Sequence, residues 1–253
     1  MLPLCKSALL VTLLALAGCA SPIPVKSMVK NPGAYSATHF SRASIPFQAD
    51  PALPAAGTVP MGFKQLTFKG VAEPAKPTPG QDLSLELQLF NDDDSGMLRS
   101  VERIDSNGLP ISYLFEYTYH GLVPVAYQYA GLSREQAPAT RYASDVTRRD
   151  KLLPLNCDTH YGYAYRLGFR SPLASSDPVT IECRSGVASP ASTVIPEASG
   201  NLVVLTCRSR NKAGVVNIET EVAFLLDYGV GVTLHSKTAD RQIRYRYTSM
   251  SQR

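Results

Sequence analysis

The chain has 253 residues, 44% of them hydrophobic, and a formal charge of +4 from 25 basic and 21 acidic side chains. That length and apolar content suit one sizeable folded domain or two small ones and exclude a chain disordered throughout. The basic residues are scattered, with no run of five or six like charges, which argues against a nucleic-acid partner. No nucleotide, dinucleotide or zinc-protease motif occurs, and no cofactor is expected.

Residues 1–18 combine an early Lys6, an uncharged apolar run from Ala8 to Ala17 and small residues at its end. This is the layout of a secretory signal peptide, and the run is too short to span a bilayer. Leu16-Ala17-Gly18-Cys19 resembles the lipobox of bacterial lipoproteins at every position. The resemblance covers about the first twenty residues and implies cleavage before Cys19 and acylation of that residue. Several acyl chains on one residue suffice for stable anchoring. Ala20 and Ser21 follow the cysteine where an aspartate would signal inner-membrane retention, so an outer-membrane anchor with a periplasmic domain is expected.

Residues 19–60 carry Pro22, Pro24, Pro32, Pro46, Pro51, Pro54 and Pro60 and show no sustained apolar period. Proline at this density removes backbone donors and favours extended neighbours, so the segment reads as a tether without persistent helix or strand. If extended, it would reach on the order of 100 Å; the alternative is irregular coil lying on the body.

A single domain over 61–250 then shows period-two alternation. GFKQLTFKGV opens it. In LSLELQLF the residues Leu83, Leu85, Leu87 and Leu89 share a face; LRSVERI, ISYLFEYTYHG and VPVAYQY follow, with Asn107-Gly108 marking a tight turn. One short helix is expected near 133–153, from a capping-box pattern at Ser133/Gln136 and from Tyr142, Val146 and Leu153 on one side. The arginines Arg141, Arg148 and Arg149 with Lys151 then form either a phosphate-binding cluster or a solvated face. THYGYAYRLGF, PVTIECRS, NLVVLTCRS, VVNIETEVAFLL, VGVTLHS and RQIRYRYT complete ten or eleven strands. The expected fold is mostly β, an antiparallel meander forming a sandwich or an open or half barrel.

Cys183 and Cys207 stand in matching contexts, TIECRS and VLTCRS, on strands flanking one loop. Neighbouring antiparallel strands would bring them within disulfide range, and an oxidising compartment permits the bond. Cys157 is then left over; the two alternative pairings would each leave a different thiol free. The stretch CDTHYGYAYRLGF loosely resembles the nucleophile region of NlpC-like cysteine peptidases, with Tyr163 and Tyr165 as the following aromatics. The resemblance implies Cys157 as nucleophile and His235 as its base. It departs where Asp158-Thr159 replaces the family's Ser-Gly pair and where strand periodicity replaces a helix. Cys157 and His160 have half-zinc-site spacing without a second ligand pair. Asp92, Asp93 and Asp94 lack the alternating spacing of a calcium loop. His39, His120 and His160 read as structural.

Three functions follow from different classes. The leading one is a non-catalytic interaction and assembly module of the cell envelope, held to the membrane by its lipid and partnered by an envelope protein or glycan. A carrier with an acyl-binding cavity, similar in architecture to half-barrel lipoproteins, is the second. A cell-wall cysteine peptidase is the third.

Overall fold

Eleven of the strands expected from alternation are present in the computed structural model, which describes residues 23–46, 53–170 and 176–253. The signal peptide, the lipobox and Cys19 lie outside the described residues. Two strands of two residues, β1 (Ile23–Pro24) and β7 (Gln136–Ala137), pair with each other. The remaining strands are β2 (Gln65–Pro74), β3 (Leu83–Phe90), β4 (Met97–Ser106), β5 (Leu109–Tyr119), β6 (Val123–Gly131), β8 (Arg141–Arg149), β9 (His160–Gly168), β10 (Asp177–Pro190), β11 (Asn201–Arg210), β12 (Val216–Leu225), β13 (Val230–Lys237) and β14 (Gln242–Gln252). These twelve close into one barrel in the order β10-β11-β12-β13-β14-β2-β3-β4-β5-β6-β8-β9. Closure gives every one of these strands a partner on both sides, fully or in part, where a sandwich would have kept free edges.

The twelfth strand is the stretch read as a helix. Residues 141–149 form β8, paired with β9, and the helix expected near 133–153 does not exist. The cause is visible in the register. Two bulges, between Ala143 and Asp145 and between Val146 and Arg148, each insert an extra residue, so the β8 pattern loses its period of two. Ala143, Val146 and Arg149 then share one face at intervals of three, opposite Leu167, Tyr165 and Tyr163, while Tyr142 faces the other way and Leu153 lies beyond the strand.

The proline-rich tether is also revised. Val25–Val29 and Pro32–His39 are helices, α1 and α2, which lie on the outside of the wall over β4–β6. Pro32 occupies the first helical position, where a missing N–H costs nothing, and the Asn31 side chain caps the helix by accepting from the Ala34 amide at 3.1 Å. Proline here starts a helix instead of preventing one. Val25, Met28 and Phe40 are buried, and the Phe40 and Tyr35 rings pack on Phe115 at 5.9 and 5.0 Å between centroids. The Tyr35 hydroxyl donates to Gln128 at 2.6 Å, and Arg99 reaches Ser36 at 3.1 Å. The segment is a strap that covers the Tyr113, Phe115 and Tyr117 face of β5.

The opposite face of β5 turns inward. Glu116 on β5 interacts electrostatically with Tyr165 on β9 and with Tyr245 on β14, as side chains facing one lumen do. Outside, Arg208 pairs with Glu219 and Arg246 with Glu73 in solvent. Closure is uneven around the wall. β13 and β14 share three residue pairs, at His235, Ser236 and Lys237, and β6 and β8 share two, at Ala126 and Tyr127. Side chains stitch the first gap: the Tyr247 hydroxyl donates to the Thr233 carbonyl at 3.0 Å, and the Met250 amide donates to Glu197 at 2.8 Å.

Because Phe40 is fully buried under the strap, Phe40→Ala should lower the free energy of unfolding by about 3–5 kcal/mol. Deleting residues 23–46 should destroy the single cooperative transition. Urea titration of both variants checks this, and unchanged midpoints would return the segment to a tether.

Candidate functional site

The chemistry-bearing residues are best taken by their place in the wall. Cys183 on β10 stands directly opposite Cys207 on β11, and the two are disulfide-bonded with a Cα separation of 4.0 Å. Both are buried, so the bridge sits inside a continuous sheet and ties two adjacent strands. Cys157 is free and exposed in the turn between β8 and β9, where its carbonyl accepts from the Thr159 hydroxyl at 3.1 Å. His235 lies on β13 opposite Glu221 and Arg244. The ladders β9–β10–β11–β12–β13 separate it from the Cys157 turn. At about 4.8 Å per strand that is roughly 19 Å along the wall. The structure therefore does not bring the candidate nucleophile and base together. Nor does a helix N-terminus face Cys157, which leads into a strand.

The other candidates are structural. Asp92 holds Arg99 through two bonds at 2.9 and 3.0 Å, and Asp94 pairs with Lys64 at 3.2 Å, while Asn91 also bonds Asp94. The Asp94 carboxyl is held below its usual range, first by Asn91 and then by Lys64. The acidic run is a stitched hairpin tip. Arg141, Arg148 and Arg149 each have a different protein partner. Arg141 stacks on Phe169 at 4.9 Å, Arg149 on Tyr119 at 5.1 Å, and Arg148 pairs with Asp150 at 2.7 Å.

His120 is buried at φ +52°, with its Nδ1 2.6 Å from the Gly229 carbonyl oxygen, and burial lowers its pKa. Its own carbonyl accepts from the Gly231 amide at 2.8 Å, fastening the β5–β6 turn to the start of β13. A Cβ on the neighbouring Gly121 would lie 2.4 Å from the Gly231 oxygen, and Gly121 has φ +72°, so only glycine fits there.

Alternation did not single out the most unusual group of side chains. Glu102 on β4 and Glu116 on β5 point into the lumen beside Ser100, Thr118, Leu87, Leu89 and Tyr247, around a cavity of about 40 Å³. That volume admits a water or two. Both carboxyls line this cavity and are enclosed by surrounding protein while keeping some accessible area. Burial raises the Glu102 pKa to about 7, against a smaller lowering by Arg241. Burial also raises Glu116 to about 7, with Glu102 adding to the rise and the Ser100 hydroxyl, 3.4 Å away, opposing it. Tyr165, Tyr245 and Tyr247 are likewise shifted up by burial. Glu116 sits among tyrosines in ISYLFEYTYHG, but only closure turns that second face toward the lumen.

Among the described residues, the interior cavities are small. Beside the 40 Å³ cavity, a second of about 20 Å³ lies between β6, β8 and β9, whereas ligand pockets run to some 300–1,000 Å³. Larger concavities, of about 680 and 320 Å³, are open surface hollows beside α1 and at the β13–β14 turn. No group of three metal-ligating side chains occurs among the described residues.

No protein-family model matches the chain, and no curated protein matches it. Among solved structures it is similar to the crystal structure of a beta-barrel-like protein of domain of unknown function DUF1849 from Brucella abortus. That likeness has 9% identity, covers 76% of this chain and 98% of the other, and has a TM-score of 0.38.

Two predictions follow from the lumen and the bridge. A carboxyl whose pKa is raised on folding stabilises the native state fully below its unfolded value near 4.5 and loses that contribution as pH climbs through 7. Glu102→Gln and Glu116→Gln should each raise stability at pH 8 by about 1–3 kcal/mol and have little effect at pH 4, allowing for partial exposure to the cavity. Thermal melts across pH 4–8 check this, and parallel wild-type and variant curves would contradict it. Cys183→Ser should cost about 2–5 kcal/mol. Cys157→Ser should cost under about 0.5 kcal/mol, as an exposed turn residue, and alkylation of the unreduced mature protein should map to Cys157.

Proposed function

We propose that the protein is a lipid-anchored component of the bacterial cell envelope whose barrel is a non-catalytic interaction and assembly module. The observation that carries this reading is the short closure between β6 and β8. Beyond Ala126 and Tyr127 the two strands share no ladder, and Val123 and Val125 on one side face Ala143 and Val146 on the other across a cleft. Tyr163 and Tyr165 line the same cleft, and the Tyr163 hydroxyl is buried without a hydrogen-bond partner. A ladder this short beside a small cavity whose lining, Leu53 included, is mostly buried, with one unsatisfied hydroxyl, suits an extended segment of a partner that takes the place of Leu53 and adds main-chain bonds.

The small size of the described interior cavities argues against an acyl carrier, and the separation of Cys157 from His235 argues against a cysteine peptidase. Anchoring through Cys19 and an outer-membrane location with a periplasmic barrel complete the proposal and rest on the lipobox.

Native mass spectrometry of protein purified from membranes tests the module. A stable protein or glycan partner is expected, and Val146→Arg should release it while leaving the circular dichroism spectrum unchanged. A lipid retained inside the barrel would favour the carrier instead. A Cys157 thiol that reacts far faster than an ordinary exposed cysteine would favour the peptidase.

A further inference from the structure

Seven large hydrophobic side chains are exposed among the described residues, and six of them gather at one end of the barrel. Antiparallel order puts the β2–β3, β4–β5, β6–β8, β9–β10, β11–β12 and β13–β14 connections at that end. Leu109 and Ile111 follow the Asn107-Gly108 tip, and Val215 and Ile218 belong to the β11–β12 turn and the strand after it. Tyr129 and Phe169 stand near the ends of β6 and β9. Leu109 is 71% exposed and Val215 58%. Positive φ angles at Asn107 and Gly108 shape the tight turn that lifts Leu109 to the rim. Only Val187, on β10, lies toward the opposite end.

The same end carries an excess of positive charge. Exposed Lys26, Lys76, Arg134, Arg170, Lys212 and Arg241 stand against Asp82, Glu135, Asp177 and Asp240. At the other end the acidic run is matched, with Asp92, Asp93 and Asp94 each bonded to a basic partner.

The described chain enters at the apolar, basic rim. Ile23 pairs with Ala137 in the β6–β8 connection, and the Val25 amide donates to the Glu135 carbonyl at 2.9 Å. From Cys19 to Ile23 is four residues, a reach of at most about 14 Å. The strap consumes the residues that would have made a long tether, so an acyl group on Cys19 would hold this end within that distance of the bilayer.

We propose that this rim docks on an anionic phospholipid surface, with Leu109, Ile111, Tyr129, Phe169, Val215 and Ile218 entering the interface and the surrounding basic side chains meeting headgroup phosphates. The orientation rests on the anchoring reading given above. Apolar tips with flanking lysine and arginine bind such surfaces by area burial plus charge attraction. The barrel axis then stands toward the membrane, and the β6–β8 cleft remains on the side, open to a partner.

The chain has no tryptophan, so a single introduced one reports its own surroundings. Val215→Trp and Val187→Trp should be made in the full lipidated protein and reconstituted in vesicles containing phosphatidylglycerol, with and without brominated lipid. Val215→Trp should shift to the blue and be quenched several-fold more than Val187→Trp. Equal quenching at both sites, or none at Val215→Trp, would overturn the docking even if radiolabelled palmitate enters the protein. If palmitate does not enter, the anchoring reading fails separately, and the unacylated chain decides the docking. It should sediment with phosphatidylglycerol vesicles, bind phosphatidylcholine vesicles at least tenfold more weakly, and lose binding on Leu109→Asp with Phe169→Asp. Indifference to lipid charge and to those substitutions would refute the rim as a membrane surface.

Discussion

The structure depends on closing a twelve-strand wall at two places where few backbone bonds are available. Three residue pairs join β13 to β14, and two join β6 to β8. Without them the chain would be two six-stranded sheets, β14-β2-β3-β4-β5-β6 and β8-β9-β10-β11-β12-β13. Each unpaired strand edge inside a protein costs free energy unless its donors and acceptors find substitutes. At the β13–β14 gap the substitutes are side chains, Tyr247 to Thr233 and Glu197 to Met250, while Ile195 and Ala198 bury beside them. At the β6–β8 gap the apolar walls of the cleft face each other without a ladder. The first gap is sealed by side chains, and the second is lined by apolar residues around a small cavity.

The N-terminal strap answers a different problem. Aromatic residues line both sides of the β5–β9 region, so the outer face of β5 would expose Phe115 and Tyr117 to water. α2 and Phe40 cover that face, and Arg99 ties the helix to the wall while stacking on Phe90 at 4.0 Å. Covering the strand and shortening the tether are one event. The residues spent on packing are no longer free to extend, so the described chain begins beside the barrel's rim.

Inside, the lumen is filled mainly by tyrosine and leucine, with two carboxyls in a small cavity. Two like charges there would be costly, so the protonated forms persist to a higher pH than on a surface. The price is native stability that falls as pH rises from about 4.5 toward 7. Tyrosine suits such an interior because its ring fills space while its hydroxyl can reach a polar neighbour, as Tyr247 does.

Much of this was legible in the sequence, because alternation is a local property. Leu83 to Leu89 and Tyr161 to Phe169 alternate whatever the rest of the chain does, and the matching contexts of Cys183 and Cys207 anticipated a register that the barrel realises. Local reasoning failed where geometry is set by distant partners. The two bulges in β8 counterfeit a helical spacing, and only pairing with β9 reveals them. Pro32 looks like a breaker until Asn31 caps a helix that Phe115 holds in place. Glu102 and Glu116 occupy positions that alternation assigns to solvent; closure encloses them, because which face is inside is a property of the whole wall. The sequence by itself determined eleven of the barrel strands and which apolar and basic residues the rim carries, and it anticipated the bridge. The tertiary structure decided what those strands enclose, and that the exposed apolar tips share one end with the point where the chain enters.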